Sequence, residues 1–188
     1  MGRTLIVFAL MMIAQWFVPW RSIGANERVL REGAPFRFRT APVDPHDPFR
    51  GEYVMLRFAL EDTALIFEGT PYDDDGRQVC LLLRDVNGYA GVERVQAEPP
   101  TDGSPYLWCA LDVWYSDNDS MMVHIDLPFD RYYLEQGKGR RTEAIMDRRE
   151  EGMDPELPAY ALVRVLDGQG VIEDLMVGDR SIHQWLAE

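Results

Sequence analysis

The side chains best suited to chemistry lie in one short segment and belong to Asp44, His46, Asp47, Arg50 and Glu52. Carboxylates and an imidazole this close in sequence can bind a divalent cation or transfer protons. A structural role explains the same residues, since aspartates beside prolines cap turns and an arginine pairs with a nearby carboxylate. We favour the structural role, because no other histidine stands at metal-ligand spacing to His46.

A second candidate is the turn at Lys138 and Gly139. Its backbone amides and cation could hold an anion at the start of a helix. The alternative is a flexible turn with a solvated Lys138, which we favour because the spacing of a phosphate-binding loop is missing. A serine-lysine dyad would need a buried lysine, which a glycine-rich turn does not provide. We therefore predict no catalytic residue, no metal and no cofactor.

Cys80 and Cys109 are the only cysteines, and both lie in strand-like runs that could be neighbours. In an oxidising compartment they could form a disulfide. The alternative is two separate buried thiols that pack as small hydrophobic groups, and we favour it. Two cysteines without an adjacent histidine pattern do not make a zinc site.

Residues 5–20 form an almost entirely apolar run between Arg3 and Arg21. A helix needs about 20 apolar residues to cross a bilayer core, so the run is slightly short, although the residues just after it lengthen it. Trp16 and Trp20 stand where an outer aromatic belt would lie, and no clear cleavage site follows. The alternatives are a cleaved signal peptide and a first helix buried in a cytosolic fold.

We therefore predict two parts, an N-terminal membrane anchor at residues 1–25 and a single domain at residues 26–188. Residues 3–23 would form one transmembrane helix, with Arg3 inside and the domain outside. The chain of 188 residues suffices for one compact domain, and its hydrophobic fraction of 46% allows a real core.

The charge of the chain excludes one class of partner. The formal net charge is −13, from 19 Lys and Arg against 32 Asp and Glu. Such a surface repels phosphate backbones, and no basic stripe reverses the field locally. We therefore predict that the protein does not bind nucleic acid.

Alternating and turn-bounded apolar runs predict a mainly β fold. Asn87-Gly88 joins two of them as a hairpin turn, because both residues accept positive φ. Only residues 142–151 have a helical pattern. The predicted strands cover residues 35–40, 50–58, 78–86, 89–96, 106–115, 121–127, 131–134, 159–166 and 171–177. The expected fold is an antiparallel sandwich or partly closed barrel with one short helix, preceded by the transmembrane helix.

One strand reads Arg50-Gly51-Glu52-Tyr53-x-x-Leu56-x-Phe58, and it follows Ala41-Pro42-Val43-Asp44-Pro45. This pattern resembles the signature of the GDYXXLXY family of bacterial membrane-anchored proteins, and the similarity extends to residues 30–33, 131–139 and 159–161. Glu52 replaces the aspartate of the family, and Phe58 replaces its final tyrosine. Reacting groups must be placed within fractions of an ångström, so the longer Glu52 favours a structural or binding role.

The resemblance implies a single-pass protein of the bacterial inner membrane, with its domain in the periplasm and no assigned activity. We expect a non-catalytic interaction module that docks on a multi-span membrane protein. The alternatives are a cation-dependent or carboxylate-based envelope hydrolase and a small-ligand binding domain. The residues available for binding are Asp44, His46, Asp47, Arg50, Gly51, Glu52, Tyr53, Leu56, Lys138 and Gly139.

Overall fold

The computed structural model describes residues 2–43, 53–63, 65–67, 78–117, 120–147, 154 and 156–187. Within these residues the helices are α1 (Gly2–Glu32), α2 (Gly139–Met146) and α3 (Ile182–Leu186). The strands are β1 (Ala34–Val43), β2 (Tyr53–Phe58), β3 (Leu65–Phe67), β4 (Gln78–Val86), β5 (Tyr89–Gln96), β6 (Tyr106–Asp117), β7 (Ser120–Asp126), β8 (Arg131–Tyr133), β9 (Ala159–Leu166), β10 (Gln169–Val177) and β11 (Arg180–Ser181). The prediction of a mainly β fold is confirmed.

Helix α1 is one continuous element that passes the predicted anchor boundary at residue 25 and contains Pro19. It ends at Glu32, and the amide of the next residue, Gly33, donates to the carbonyl of Val29 at 2.9 Å. Only glycine fits there, because a Cβ would stand 2.4 Å from that carbonyl oxygen. Among the helices of the described residues, none combines the length and apolar character that a membrane span requires.

The larger sheet has six strands in the order β11-β10-β9-β1-β2-β8, and its neighbouring strands are antiparallel. Strand β1 pairs with β9 through residues 34–39 and with β2 through residues 40–43. The predicted alternation along β1 is confirmed, because Phe38 is buried while Arg37 and Arg39 are exposed.

The other five strands close on themselves in the order β3-β5-β4-β6-β7. The predicted hairpin turn between β4 and β5 is confirmed, with φ of 54° at Asn87 and 84° at Gly88. Strand β3 completes the barrel by pairing antiparallel with β7 and parallel with β5. The sequence pattern did not predict β3, and the expectation of a partly closed barrel did not include this single parallel pairing.

Three phenylalanines join the two sheets in the core. The rings of Phe38, Phe58 and Phe129 meet edge to face, with centroids 5.3–5.9 Å apart. Each such pair adds about 0.5–1.5 kcal/mol beyond the burial of its apolar area. Because Phe38 lies on β1, Phe58 on β2 and Phe129 just after β7, this cluster connects the larger sheet to the barrel.

Helix α2 contributes Ile145 and Met146 to the same core, and both side chains are fully buried. Its bounds differ from the predicted helix at residues 142–151, since it begins at Gly139 and its C-cap is Asp147. The short helix α3 was not predicted, although a capping box marks its start. The Ser181 hydroxyl accepts from the amide of His183, and the Gln184 side chain accepts from the amide of Ser181.

The two cysteines are separate free thiols, and both are buried. They lie on neighbouring strands, but Val79 is opposite Cys109 and Cys80 is opposite Trp108. Directly paired residues share a face of the sheet and adjacent residues alternate, so the two thiols point to opposite faces. The structure therefore agrees with the favoured alternative of two separate buried thiols and gives no support to a disulfide between Cys80 and Cys109.

We expect neither thiol of the native protein to react with a disulfide reagent such as dithionitrobenzoate at pH 8. Only the thiolate reacts, and burial raises the pKa of Cys109 to about 12 and also raises that of Cys80. In denaturant without reductant, two thiols per chain should appear in the absorbance assay. A denatured chain that releases thiols only after reduction would show that the two cysteines are paired.

Candidate functional site

The signature strand β2 has alternating burial, with Val54, Leu56 and Phe58 turned into the core. Leu56 is 3% exposed and Phe58 is fully buried. A hydroxyl on Phe58, as in the tyrosine of the signature pattern, would have to find a hydrogen-bond partner in this apolar environment. The leucine and the last aromatic residue of the signature therefore serve packing.

Tyr53, on the other face of β2, takes part in an aromatic pair at the sheet edge. It is opposite Tyr133 of β8, and the two ring centroids are 5.9 Å apart. The Arg131 guanidinium lies 5.5 Å from the centroid of the Tyr53 ring, within the range of a cation–π interaction. This half-buried tyrosine fixes strand β8 against β2.

The remaining signature and turn residues lie outside the described residues, between β1 and β2. They are Asp44, His46, Asp47, Arg50, Gly51 and Glu52. Among the residues that the structure does describe, no group of three or more His, Cys, Asp or Glu side chains is arranged to hold a metal ion. The favoured structural role of the segment therefore stays a prediction, and metal binding or acid-base chemistry stays its alternative.

The described geometry reveals a carboxylate that the sequence analysis missed, three residues after the signature. One oxygen of Glu61 accepts from the amide of Phe58 at 3.0 Å, and the other accepts from the amide of Leu127 at 3.1 Å. The Glu61 carbonyl oxygen also lies 2.9 Å from Nδ1 of His124. Glu61 therefore ties the turn after β2 to the end of barrel strand β7.

The environment of Glu61 is that of a structural carboxylate. Burial raises its pKa above the ordinary value, and the amides of Phe58 and Leu127 oppose that rise. Because the pKa of Glu61 is raised in the folded protein, the contribution of this group to stability is complete at a pH below its unfolded-state pKa. The contribution declines as the pH rises through the folded-state pKa. The carboxylate is held because its two oxygens satisfy two amides that would otherwise lack acceptors.

Lys138 and Gly139 lie at the start of α2, as expected for the turn. The lysine forms an ion pair, whereas the favoured interpretation had it surrounded by solvent alone. Its ammonium group stands 2.6 Å from the carboxylate of Glu135, and this pairing lowers the pKa of Glu135. The carbonyl of Lys138 accepts from both the amide and the hydroxyl of buried Thr142, each at 2.9 Å. The described contacts of this turn therefore start helix α2 and hold the Lys138 ammonium group close to the Glu135 carboxylate.

A third constellation joins strands from opposite sides of the larger sheet. The Tyr132 hydroxyl lies 2.9 Å from Nε2 of His183 and donates to Asp174 at 3.4 Å. Burial, together with Asp174, raises the pKa of Tyr132 to about 12, so the phenol stays protonated at neutral pH. Because β8 and β10 are far apart in strand order, these contacts show that the sheet curls into a half-barrel.

The family model described as GDYXXLXY protein matches residues 15–175, which is most of the chain. The chain belongs to the GDYXXLXY family. No curated protein and no solved structure matches it.

Membership of the GDYXXLXY family confirms the resemblance drawn from the signature. The matched range begins inside α1 and ends within β10, so the family pattern covers both sheets. Sequence spacing could not reveal the Tyr132 constellation, whose members are 42 and 51 residues apart. Glu61 had only a weak signal, its place in the turn that follows the family signature.

We expect Glu61→Gln to destabilise the protein by about 1–3 kcal/mol at pH 7, measured by urea unfolding followed by circular dichroism. The NH2 group of glutamine would face one of the two backbone amides, and that amide would lose its hydrogen-bond acceptor. This loss should exceed the gain from removing a partly buried charge.

The matched control is Asp62→Asn, one residue further along. Asp62 forms an exposed pair with Arg57 at 2.6 Å, and such pairs contribute less than about 1 kcal/mol. If Glu61→Gln were no more destabilising than Asp62→Asn, the two amide contacts would not hold the sheets together.

Proposed function

We propose that α1 anchors this GDYXXLXY protein in the bacterial inner membrane and that the β-rich body works at the periplasmic face as a non-catalytic interaction module. The observation that carries the proposal is the exposure of the apolar side chains along α1. The exposed members are Ile6, Val7, Phe8, Met11, Met12, Trp16, Phe17, Trp20 and Ile23. Many exposed apolar side chains along one helix mark a membrane or protein contact.

Large rings are included in that surface. Phe8 is 63% exposed, Trp16 74% and Trp20 76%. Full burial of one such side chain is worth about 1.5–3 kcal/mol, so lipid contact along the helix would be strongly favourable. The β-rich body does not supply this burial, since it contacts α1 mainly through β9 and β10 at the end of the helix.

The dimensions of the apolar surface favour lipid as its environment. Residues 6–23 of α1 rise roughly 26 Å at about 1.5 Å per residue, which is close to the ~30 Å core of a bilayer. Trp16 and Trp20 are one turn apart toward the body, where indole rings suit the headgroup region. Exposed Arg21 beside them can extend its cation to the same interface.

The junction of helix and body is held by several contacts, which supports a fixed orientation at the membrane surface. Val29 is buried against the body, and Arg164 donates to the carbonyl of Gly33 at 3.3 Å. An ion pair between Arg28 and Asp167, at 3.6 Å, links the helix to the β9–β10 turn. A body held this way meets the periplasmic loops of multi-span proteins, and its net negative charge favours basic ones.

The non-catalytic part of the proposal is supported by the described signature residues. Leu56 and Phe58 pack in the core, and Tyr53 braces β8. Glu61 and Tyr132 are engaged by backbone amides or by neighbouring side chains. These side chains stabilise the fold, as we expect for an interaction module.

We expect Met12→Asp to release the protein from sedimented inner membranes during alkaline extraction. An aspartate at the centre of a membrane helix is unfavourable by about 2.5–3.5 kcal/mol, and this apolar run is short. The matched control, Asn26→Asp, adds the same carboxylate beyond the apolar run and should leave the protein in the membrane pellet. Equal release of both variants, or wild-type protein in the soluble fraction, would contradict the anchor.

The orientation can be tested with Glu98→Cys, because residue 98 is exposed and both native thiols are buried. We expect a membrane-impermeant maleimide to label this variant in cells whose outer membrane alone has been opened. The wild-type chain should stay unlabelled and serves as the control. Labelling that requires rupture of the inner membrane would place the body on the cytoplasmic side.

A further inference from the structure

A cleft between the two sheets has the features of a small-ligand site. It lies between β1, the turn after β2 and the β4–β5 hairpin, and its volume is about 310 Å³. This volume is at the lower end of the range for ligand pockets. Leu60 and Val86 give the cleft an apolar surface, since Leu60 is only partly buried and Val86 is 40% exposed.

Two guanidinium groups line this cleft, from Arg39 of β1 and Arg84 of β4. The guanidinium of Arg39 lies 4.2 Å from the ring centroid of Tyr89. This stacking uses the face of the guanidinium, so the N–H groups at its edge remain suited to an acceptor in the plane.

Strand register brings Arg84 to the same side of the hairpin as Tyr89. Arg84 is opposite Gly91 and Val86 is opposite Tyr89, so all four residues share one face. Gly91 presents no side chain opposite Arg84, and a Cβ there would stand 2.5 Å from the Val86 side chain. The Val86 side chain therefore fills the space above Gly91 and adds an apolar group on the face that carries Arg84.

The charge of this cleft is opposite to that of the whole chain, which is −13. Within the described residues, neither Arg39 nor Arg84 forms a salt bridge. Two arginines that line one cleft with apolar side chains suit an anion that has an apolar part, because arginine binds carboxylate and phosphate oxygens through two parallel hydrogen bonds.

We propose that this cleft binds a small organic anion, a carboxylate or phosphate attached to a compact apolar group. Arg39 and Arg84 hold the anionic group, and the surface of Leu60 and Val86 receives the apolar part. The site is independent of the anchor and goes beyond the interaction role proposed above.

Calorimetric titration of the full chain in nonionic detergent tests the site with four probes. Benzoate and phenyl phosphate carry both parts of the ligand, with a carboxylate or a phosphate as the anion. Benzyl alcohol carries the apolar part alone, and acetate carries the anion alone. We expect saturable binding of benzoate, phenyl phosphate or both, and at least about tenfold weaker binding of benzyl alcohol and acetate.

Removal of either arginine charge tests whether the guanidinium groups hold the probe. Arg39→Gln and Arg84→Gln should each weaken the bound probe about tenfold or more. The matched control is Arg94→Gln, on β5 of the same hairpin but outside the cleft lining, and it should bind like the wild type. Far-ultraviolet circular dichroism confirms that each variant is folded.

Binding of benzoate alone assigns the cleft to carboxylates, and binding of phenyl phosphate alone assigns it to phosphates. The proposal is overturned if neither probe binds at millimolar concentration. It is equally overturned if the probes bind both cleft variants as tightly as the Arg94→Gln control, or if benzyl alcohol binds as tightly as benzoate.

Discussion

The connection between the half-barrel sheet and the closed barrel depends on the partly buried carboxylate of Glu61. Its two oxygens accept from the amide of Phe58 at the end of β2 and from the amide of Leu127 just after β7. The cluster of Phe38, Phe58 and Phe129 fills the space between them with edge-to-face contacts. Apolar burial is not directional, so the phenylalanine cluster alone would allow the two sheets to slide past each other. The hydrogen bonds of Glu61 are directional and fix the position of one sheet on the other.

This arrangement explains how a helix with an exposed apolar surface can belong to a well-packed protein. The last turns of α1 join β9 and β10 through Val29 and Gly33, where close backbone packing allows no side chain at residue 33. Earlier turns present their apolar side chains outward instead of adding to the core. The β-rich body therefore has its own core, and α1 is available for lipid in the function we propose.

The signature of the GDYXXLXY family has a divided role in this chain. Leu56 and Phe58 act in packing, while Tyr53 stands at the sheet edge with Tyr133 and Arg131. The cleft with Arg39 and Arg84 begins just after the signature, between Ala59 and Leu60 and the β4–β5 hairpin. The described signature residues therefore stabilise the fold, and the cleft we propose as a binding site is lined by other residues.

Sequence alone determined the elements whose cause is local, including the N-terminal apolar segment, the bounds of β4 and β5, and the turn at Asn87 and Gly88. Alternation of side chains and positive φ act within a few residues, so the sequence contains their signal. Tertiary structure decided which residues meet. Strand register separated Cys80 from Cys109, closed the barrel through β3 and joined Glu61 to Leu127, 66 residues away. Register follows from the packing of whole sheets, which no short window of sequence specifies.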